Sequence, residues 1–477
     1  MDRCSRPSTP WGWALIPDQA TTNGNVAFWY AGRGLPAARE PLPGNLSADV
    51  VIVGAGFTGL WSAYYLKRAK PSLNVVVLES RFAGYGASGR NGGWLANTMT
   101  GGRNDYVGSH GRAVVGRFQE LLNETIDEVC TVAAREGIEA DIVKGGELLV
   151  ARNEAQASRL AALSTHQASW PEDQAQLLSA SEVRERVKVA GARGGMHIPH
   201  CARIQPAKLV RGLAEAVERL GVVIHEQTTV TSVEPGRART DRGTVTAPYV
   251  LRATEGFTSN LKGLRREWLP MNSSMIVTDP LPDDMMAEIG WDGCETLEDL
   301  AHAYVYLQRT ADGRIAMGGR GAPYRYGSRT DVDGGTAPAT VRDLASILHE
   351  MFPATAGIRI DHAWSGVLGV PRDWKATVGL DPSTGLGWAG GYVGTGVTAT
   401  NLAGRTLTAL VLGSETELTT MPWVNRRVKR WEVEPLRWIG VQAMYGMYRR
   451  ADAQEIAGLP HTSRWARLAD RMSGRGS

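Results

Sequence analysis

The chain has 477 residues, of which 43% are hydrophobic, and its formal net charge is +3. A chain of this length can form two or more domains. The nearly balanced charge gives no electrostatic reason to expect a nucleic acid or an anionic membrane as a partner. No run of about 18 apolar residues predicts a membrane span. The scattered cysteines form no C-x-x-C pair, which is typical of reduced thiols, so we expect a cytoplasmic protein.

Residues 1–45 are rich in Pro, Gly and Trp and predict an irregular arm that lies across the first domain. An unbroken apolar run over residues 50–53 then predicts a strand buried on both faces. The spacing G-x-G-x-x-G follows it at Gly54, Gly56 and Gly59. In a strand-to-helix turn, these glycines allow the sharp turn, the approach of a pyrophosphate to the backbone and close packing of the helix on the strand.

A second apolar run, residues 75–78, ends at Glu79, about twenty residues beyond the last of these glycines. A carboxylate at this place can accept hydrogen bonds from the ribose hydroxyls of a dinucleotide. It also disfavours a 2′-phosphate, so FAD or NAD is favoured over NADP. The two strands, the glycines and the acid together predict a dinucleotide site.

The rest of the chain alternates between helical and extended patterns, with helical spacing prominent from about residue 104 to 190. Further strands are predicted at residues 147–150, 222–226, 229–233 and 244–253. Further helices are predicted at residues 206–220, 341–351 and 397–412. Residues 415–477 predict a helical tail. The order indicates that the chain leaves one α/β domain, returns to it, and carries a second domain inserted in pieces.

Two more glycine clusters lie far from the first along the chain, AGYGASGRNGGW at residues 83–94 and WAGGYVGTGVTATNLAGR at residues 388–405. Three such turns fit a ligand that spans the whole domain, as extended FAD does. The pyrophosphate would lie on the first turn, the ribityl chain and ring over the second, and the pyrimidine edge at the third, where a helix starting at Val397 would stabilise negative charge. In the alternative interpretation the second cluster is a disordered surface loop and the third, residues 387–396, is only a connector. Arg90 and Asn91, which stand between glycines, favour a ligand.

Several motifs together resemble the D-amino-acid-oxidase-like family of FAD oxidoreductases, which includes glycine oxidase and sarcosine oxidase. The resemblance covers about residues 28–440 and is closest to the gamma-glutamylputrescine oxidase-like branch. It implies an α/β fold, with a Rossmann-like FAD-binding domain and an inserted α+β substrate domain built on a large antiparallel sheet. The motifs are ADVVIVGAGFTGL, GYGASGRNGGW, IQPAKLVRGLAEAVERLGV, LRATEG, DGRIAMGGR, WSGVLGVPRDW and GGYVGTGVTATNLAGRTL.

With this resemblance, we expect a discontinuous FAD-binding domain made of residues 46–103, 195–258 and 358–414. The substrate domain is expected at residues 104–194 and 259–357. The isoalloxazine ring of FAD would lie between the two domains.

The resemblance also implies individual FAD contacts. The first glycine turn would hold the pyrophosphate, Glu79 the adenosine ribose, and the backbone of Val230 the adenine. The expected FAD-binding residues are Gly54, Gly56, Phe57, Thr58, Gly59, Glu79, Ser80, Arg81, Gly86, Ala87, Ser88, Gly89, Arg90, Asn91, Gly92, Gly93, Val230, Thr254, Gly391, Gly394, Gly396, Val397 and Thr398.

The sequence departs from parts of the family pattern. No Cys lies in residues 361–381 and no His in residues 83–94, where members attach flavin covalently, so non-covalent FAD is expected. Sarcosine oxidases carry a lysine for oxygen activation in the strand aligned with residues 314–319, where Ala316 stands here. The electron acceptor, O₂ or another molecule, is therefore left open. His197, His200 and Cys201 form only an H-x-x-H with one adjacent Cys, so no metal site is expected.

Family resemblance implies oxidation of the C–N bond of an amine or amino acid, with hydride or its equivalent passing to flavin N5 and water hydrolysing the imine. The candidate substrate contacts are Arg90, Tyr304, Tyr306, Arg320 and Trp374. Arg90 would tune the flavin or bind a carboxylate. The two tyrosines also fit positions in a sheet core, and Trp374 also fits simple packing.

Two other functions stay open at this point. A flavin monooxygenase reduced by NAD(P)H would need a nicotinamide site, and no second complete G-x-G-x-x-G follows a predicted strand. A non-catalytic flavin-binding assembly partner would use the tail, whose aromatic and arginine residues recur at helical spacing, although a helix capping its own domain is commoner. The expected partners are a small-molecule amine, with no nucleic acid and no membrane, in a monomer or homodimer.

Overall fold

The computed structural model describes residues 21–32, 34–319, 324–330 and 333–473. The candidate substrate contact Arg320 lies outside the described residues. The strands, in chain order, are β1 Thr22–Asn23, β2 Leu46–Ser47, β3 Val50–Val53, β4 Val75–Leu78, β5 Trp94–Ala96, β6 Glu147–Ala151, β7 Gln176–Ser179, β8 Gly194–Ile198, β9 Cys201–Arg203, β10 Val223–His225, β11 Val230–Glu234, β12 Arg237–Thr240, β13 Thr244–Thr246, β14 Tyr249–Arg252, β15 Leu269–Thr278, β16 Thr296–Asp299, β17 Tyr306–Arg309, β18 Ile315–Gly319, β19 Ile360–Val370, β20 Thr377–Asp381 and β21 Leu386–Gly390.

The helices alternate with these strands and cover their faces. They are α1 Phe57–Ala69, α2 Asn104–His110, α3 Arg112–Arg135, α4 Glu154–Gln167, α5 Ala180–Arg186, α6 Pro206–Arg219, α7 Asp283–Ile289, α8 Pro338–Met351, α9 Gly396–Leu412, α10 Leu436–Ile456 and α11 Arg464–Ser473. Within the described ranges, none of them has the length and apolar character needed to cross a bilayer.

A sheet with the order β10-β4-β3-β14-β21-β20 forms the first part of the molecule. Its pairs are parallel except for β20 with β21. One face, with Val50 and Ile52, packs on helices α1, α3, α6 and α9. The other face, with Val51 and Val53, packs on a small sheet of order β11-β12-β13-β2. Both faces are therefore buried, as the apolar runs predict, and the fold is Rossmann-like.

The second part is a larger sheet of order β1-β19-β15-β18-β17-β16-β6-β8-β7. It is antiparallel apart from the pairs β1 with β19 and β16 with β6. Side chains such as Leu148, Leu307 and Met317 point to one face, where they pack with α7 and α8 in a hydrophobic core. Because side chains alternate along a strand, their neighbours point to the opposite face, which lines the cavity described below.

Two expectations about strands were wrong in detail. Residues 244–253 form two strands in two different sheets, β13 and β14, because Pro248 stands between them and cannot donate a backbone hydrogen bond. The polar strand β12 was not predicted, since Arg237–Thr240 lacks an apolar pattern.

Two segments lie in a different sheet from the one that the expected domain boundaries imply. Strands β8 and β19 were expected in the FAD-binding domain, but both hydrogen-bond in the larger sheet. The arm likewise contributes Thr22–Asn23 to the edge of that sheet. The sheet that a strand joins depends on pairing between residues far apart in the chain, such as Met275 with Trp364. The remaining boundaries stay a prediction.

The tail is helical as predicted and packs on its own chain. Helices α10 and α11 contact each other and cover Leu269, Met271 and Val370 at one end of the larger sheet. An ion pair between Arg159 of α4 and Glu455 of α10 also holds the tail, with 2.7 Å between their closest N and O atoms.

Candidate active site

The three glycine clusters meet at one cleft at the carboxyl ends of β3, β4 and β14. This edge of a parallel sheet is where open α/β folds bind nucleotides. The expected residues that line the cleft are Gly54, Gly56, Phe57, Thr58, Glu79, Ser80, Gly86, Ala87, Ser88, Asn91, Val230, Thr254, Gly394, Gly396 and Val397. The arrangement fits a single elongated ligand that touches chain segments far apart in sequence.

The first glycine turn depends on the absence of side chains. Gly54 has a φ of +107°, a conformation that residues with a side chain rarely adopt. A Cβ built on Gly59 would lie 2.0 Å from the carbonyl oxygen of Gly54. The turn therefore brings α1 close to β3 in the way that the spacing predicts.

Direct hydrogen bonds join the three clusters. The backbone N–H of Phe57 donates to Oγ of Ser88 over 2.8 Å, which links the first cluster to the second. The hydroxyls of Thr58 and Tyr392 are 3.1 Å apart, which links the first helix to the third cluster. These bonds hold the cleft in one shape before any ligand enters.

Glu79 closes the cleft on its adenosine side. The N–H groups of Ala55 and Arg81 each donate to its carboxylate over 3.0 Å, and the Ser80 hydroxyl donates over 3.1 Å. Burial raises the pKa of Glu79, while these donors act in the opposite direction. Since each carboxylate oxygen accepts more than one hydrogen bond, acceptor capacity is left for ribose hydroxyls.

Glu255 joins the two parts of the molecule at this cleft, and sequence reasoning missed it. Its carboxylate accepts from the N–H groups of Gly391 at 2.8 Å, Gly369 at 3.0 Å and Tyr392 at 3.3 Å. Gly369 ends the larger sheet, whereas Gly391 and Tyr392 belong to the third glycine cluster. Burial raises the pKa of Glu255 to about 7, against the effect of these donors and of Arg252. The motif LRATEG contains Glu255, but only the folded structure shows which backbone N–H groups its carboxylate binds.

The donor groups of the cleft fit FAD. The caps of α1 and α9, Gly56 and Thr395, use no side chain to satisfy the first N–H groups of their helices, and such helix ends attract phosphate and other anionic groups. Behind the surface of the cleft, Thr398 is buried and its Oγ1 finds no hydrogen-bond partner within the described ranges. These groups would hold the pyrophosphate at α1 and the pyrimidine end of the ring at α9.

Some expected FAD residues support the cleft from behind its surface. Gly89 and Gly93 allow close approaches, because a Cβ on them would lie 2.0 Å from the Tyr30 hydroxyl and 1.9 Å from Nε2 of Gln308. The expected residues that do not line the cleft are Gly59, Arg81, Gly89, Arg90, Gly92, Gly93, Gly391 and Thr398. Of these, Arg90 and Gly92 line the neighbouring cavity instead.

A second cavity of about 460 Å³ opens from the inner end of the cleft. The two spaces share five lining residues, which are Ala87, Asn91, Leu368, Gly394 and Val397. The cavity runs under one face of the larger sheet, where Met275, Glu298 and Leu149 stand on different strands. A small molecule in this cavity would contact whatever part of the cofactor reaches the shared residues.

The two candidate tyrosines lie in this cavity. Tyr304 and Tyr306 both line it. The Tyr306 hydroxyl is 2.8 Å from Oγ of Ser273, and its ring meets that of Trp94 edge to face at 6.0 Å. The structure therefore brings both side chains to the place expected for the substrate.

Arg90 and Trp374 differ in their relation to this cavity, because Arg90 lines it and Trp374 does not. Arg90 is 2% exposed; its Nε donates to the carbonyl of Tyr85 over 2.7 Å and its Nη1 to that of Ser365 over 3.3 Å. These two bonds tie the second glycine cluster to the larger sheet, while the buried Nη2 has no hydrogen-bond partner among the described residues. A carboxylate-binding role for Arg90 stays a prediction. Trp374 is not a lining residue; it packs under the tail, with its Nε1 donating to the carbonyl of Ser473 over 3.0 Å.

The far end of the cavity carries acidic and cationic side chains that the sequence did not single out. Asp173 accepts from Arg103 at 2.5 Å and from Asn97 at 3.0 Å. Glu147 stands nearby, and burial together with the charge of Asp173 raises its pKa to about 7. Burial and Arg103 lower the pKa of His166. Because these residues come from separate elements, no local spacing could have connected them.

One described group has the composition of a metal site, His302 with Asp452 and Glu455. The guanidinium of Arg159 already lies 2.7 Å from Glu455 and 3.1 Å from the His302 ring. The backbone N–H groups of His302 and Ala303 donate to Asp452 over 2.8 and 2.9 Å. The group therefore acts as an ion-pair network that fastens the tail, with a protein cation in its centre.

A Rossmann-like sheet, a cleft for an extended dinucleotide and a cavity under a large antiparallel sheet define a flavin-dependent oxidoreductase. The chain belongs to the FAD dependent oxidoreductase family (DAO), whose model matches residues 49–410. It is therefore an FAD-dependent enzyme. The expectations from the motifs about fold, family and cofactor are confirmed.

Named relatives cover most of the chain. It is 31% identical over 402 residues to gamma-glutamylputrescine oxidoreductase of Escherichia coli K12, covering 82% of this chain and 90% of the relative. It is 25% identical over 387 residues to sarcosine oxidase subunit beta of Rhizobium meliloti, covering 76% and 84%.

Solved structures share the fold. Glycine oxidase from Geobacillus kaustophilus superposes with a TM-score of 0.67 at 20% identity, covering 80% of this chain and 99% of that one. L-Proline dehydrogenase from P. horikoshii gives a TM-score of 0.66 at 17% identity, covering 80% and 98%.

Proposed function

We propose that this enzyme oxidises the C–N bond of a small amine or amino acid bound in the 460 Å³ cavity. The observation that carries the proposal is the set of residues common to the cofactor cleft and the cavity, among them Asn91, Leu368 and Val397. A substrate there is in reach of the cofactor yet enclosed by protein. The names of gamma-glutamylputrescine oxidoreductase and sarcosine oxidase subunit beta support an amine as substrate.

When bound, FAD supplies the two-electron acceptor for this oxidation. The protein's contribution is to bind and orient the amine. Apolar side chains such as Trp94, Met275 and Leu149 line the cavity, and burial among them favours the neutral form of an amine. The Tyr306 hydroxyl, held by Ser273 at 2.8 Å, offers an oxygen to orient the N–H of that amine.

Anaerobic titration of the purified, flavin-loaded protein tests this function. We expect amines, N-methyl amino acids or D-amino acids to bleach the flavin absorbance without any other reductant. Bleaching by NADH or NADPH and by no amine would instead indicate the monooxygenase alternative. Bleaching by none of these compounds would favour the non-catalytic alternative.

For the electron acceptor, we propose a molecule other than O₂. Ala316 stands where sarcosine oxidases carry their lysine, and here it is buried in an apolar cluster with Met275 and Trp364. The expected result is slow reoxidation in air of the amine-reduced protein and faster reoxidation by a quinone or a dye. The cytoplasmic location and the monomeric or homodimeric state stay predictions.

A further inference from the structure

Glu147 stands on the cavity side of the larger sheet. It begins β6, whose alternate residues Leu148 and Val150 point into the hydrophobic core on the other face. Leu149, which has the same orientation as Glu147, lines the cavity with it. The alternation of side chains along a strand therefore directs the carboxylate of Glu147 into the cavity.

This carboxylate is buried and has no partner in the described part of the chain. Glu147 is 7% exposed, and among the described residues no N–H or O–H group donates to its oxygens and no cationic side chain pairs with it. Asp173 nearby differs, because Arg103 and Asn97 bind both of its oxygens. An unpaired buried carboxylate is costly for a fold, so its retention beside a cavity indicates a ligand that supplies the missing donor.

The position of Glu147 fixes where that donor must lie. Tyr306 pairs with Glu298, and Glu298 pairs with Leu149, which makes one row across three neighbouring strands. Glu147 is two residues along β6 from that row. With about 5 Å between strands, β6 lies roughly 10 Å from the strand of Tyr306. Glu147 therefore faces the end of the cavity remote from the residues shared with the cofactor cleft.

Charge at this remote end favours a cation. The positive charge of Arg103 is compensated by Asp173. The pKa of His166 is lowered by burial and by Arg103, which favours its neutral form. A substrate carboxylate at this end would be repelled by Glu147 and Asp173, whereas a substrate ammonium group would gain a charge-assisted hydrogen bond.

We propose that Glu147 binds a second ammonium group of the substrate, so that the enzyme prefers amines with another cationic nitrogen at the opposite end of an aliphatic chain. The inference rests on the proposed amine oxidation and adds the substrate class. Glu147 then determines specificity, while the reacting amine lies beside Tyr306 and the shared residues.

Matched pairs of amines test the preference in the wild-type holoenzyme. Hexane-1,6-diamine is compared with heptylamine, in which a methyl group replaces the distal ammonium. It is also compared with 6-aminohexanoic acid, in which a carboxylate replaces the terminal CH₂–NH₃⁺ group. We expect kcat/KM for the diamine to exceed that for each analogue by about tenfold or more, as a charge-assisted hydrogen bond allows. Butane-1,4-diamine and pentylamine repeat the comparison at shorter length.

The variant Glu147→Gln tests the residue. It keeps the shape of the side chain but removes its charge, so the ratio of kcat/KM for diamine over heptylamine should fall about ten- to hundredfold. The loss should lie mainly in KM, and Glu147→Asp should restore part of the ratio. Glu154→Gln, on the protein surface with its side chain 60% exposed, is the matched control and should leave the ratio unchanged.

The outcomes separate this inference from the function on which it rests. If neither the diamines nor the alkylamines reduce the flavin, the proposed amine oxidation fails. If both reduce it at equal kcat/KM, or if 6-aminohexanoic acid is preferred, amine oxidation stands and the cationic subsite is overturned. An unchanged ratio in the Glu147→Gln variant overturns the role of this residue.

Discussion

The cofactor cleft and the substrate cavity adjoin each other, but the cleft is formed mainly by backbone and the cavity mainly by side chains. The cleft is made largely of backbone, from the glycine turn at Gly54 to the uncapped helix end at Gly396. The cavity is made of side chains such as Trp94, Tyr306 and Glu147, which stand on three different strands. A ligand common to many enzymes can be bound by backbone, whereas a particular substrate is selected by side chains.

The largest expected effect comes from breaking the backbone of the cleft. In Gly59→Ala the new Cβ would meet the carbonyl oxygen of Gly54 at 2.0 Å and its carbon at 3.2 Å. Since neither backbone atom can yield, α1 must move away from β3. We expect purified Gly59→Ala to lose nearly all of its flavin, measured as the ratio of flavin to protein absorbance.

A glycine outside the cleft provides the control for this variant. Gly440 lies in α10 with no atom within 4 Å of a built Cβ. Gly440→Ala should keep full flavin content and gain slight stability from better helix propensity. Normal flavin content in Gly59→Ala would show that the close approach of helix and strand is not needed for binding.

The same contrast explains how much could be predicted from sequence. The glycine spacing, the acid at Glu79 and the start of α9 near Val397 were visible because each depends on neighbouring residues. Glu255 was missed because its three partners belong to distant segments. Glu147 was missed because its role depends on which face of a sheet it occupies, and that follows from strand pairing.

Glu79→Ala should weaken FAD binding without abolishing it. The variant loses the acceptor for ribose and also the hydrogen bonds from Ala55 and Arg81 that fix this corner. We expect the Kd for FAD to rise about ten- to hundredfold, measured by titrating apoprotein with FAD and following flavin fluorescence. Ser80→Ala removes a donor to the same carboxylate and should change the Kd much less. An unchanged Kd in Glu79→Ala would place the adenosine ribose elsewhere.

Glu255 joins the larger sheet to the third glycine cluster, and its titration should be visible in the free energy of unfolding. Burial raises its pKa from 4.5 to about 7. Because the folded pKa lies above the unfolded one, this stabilising contribution is full below pH 4.5 and is lost as the pH rises towards 7. The loss amounts to about 3 kcal/mol of unfolding free energy.

Glu255→Gln should remove this pH dependence. Denaturant unfolding of both proteins across the pH range gives their difference in unfolding free energy, in which Glu147 cancels because both proteins contain it. The unfolding free energy of the wild type should fall relative to that of the variant as the pH rises from 4.5 towards 7. A difference independent of pH would mean that Glu255 stays ionised in the folded protein.

The smallest expected effect lies outside both spaces, at the network that fastens the tail. Burial alone would raise the pKa of Glu455, but the hydrogen bonds from His302 and Arg159 outweigh it and lower this pKa to about 2. The folded pKa is depressed, so this contribution is present above 4.5 and fades as the pH falls towards 2. Arg159→Ala should loosen α10 by about 1–3 kcal/mol, as expected for the loss of a hydrogen bond to a charged group, seen as faster amide hydrogen exchange in that helix.

Flavin content and kcat should stay unchanged in Arg159→Ala, because the network touches neither the cleft nor the cavity. Arg193→Ala is the matched control, since Arg193 pairs with Glu154 on the surface, where both side chains are more than half exposed and a pair contributes about 0–1 kcal/mol. Loss of flavin in Arg159→Ala alone would show that the tail supports the cofactor cleft. FAD binding would then depend on the packing of the tail as well as on the backbone of the cleft.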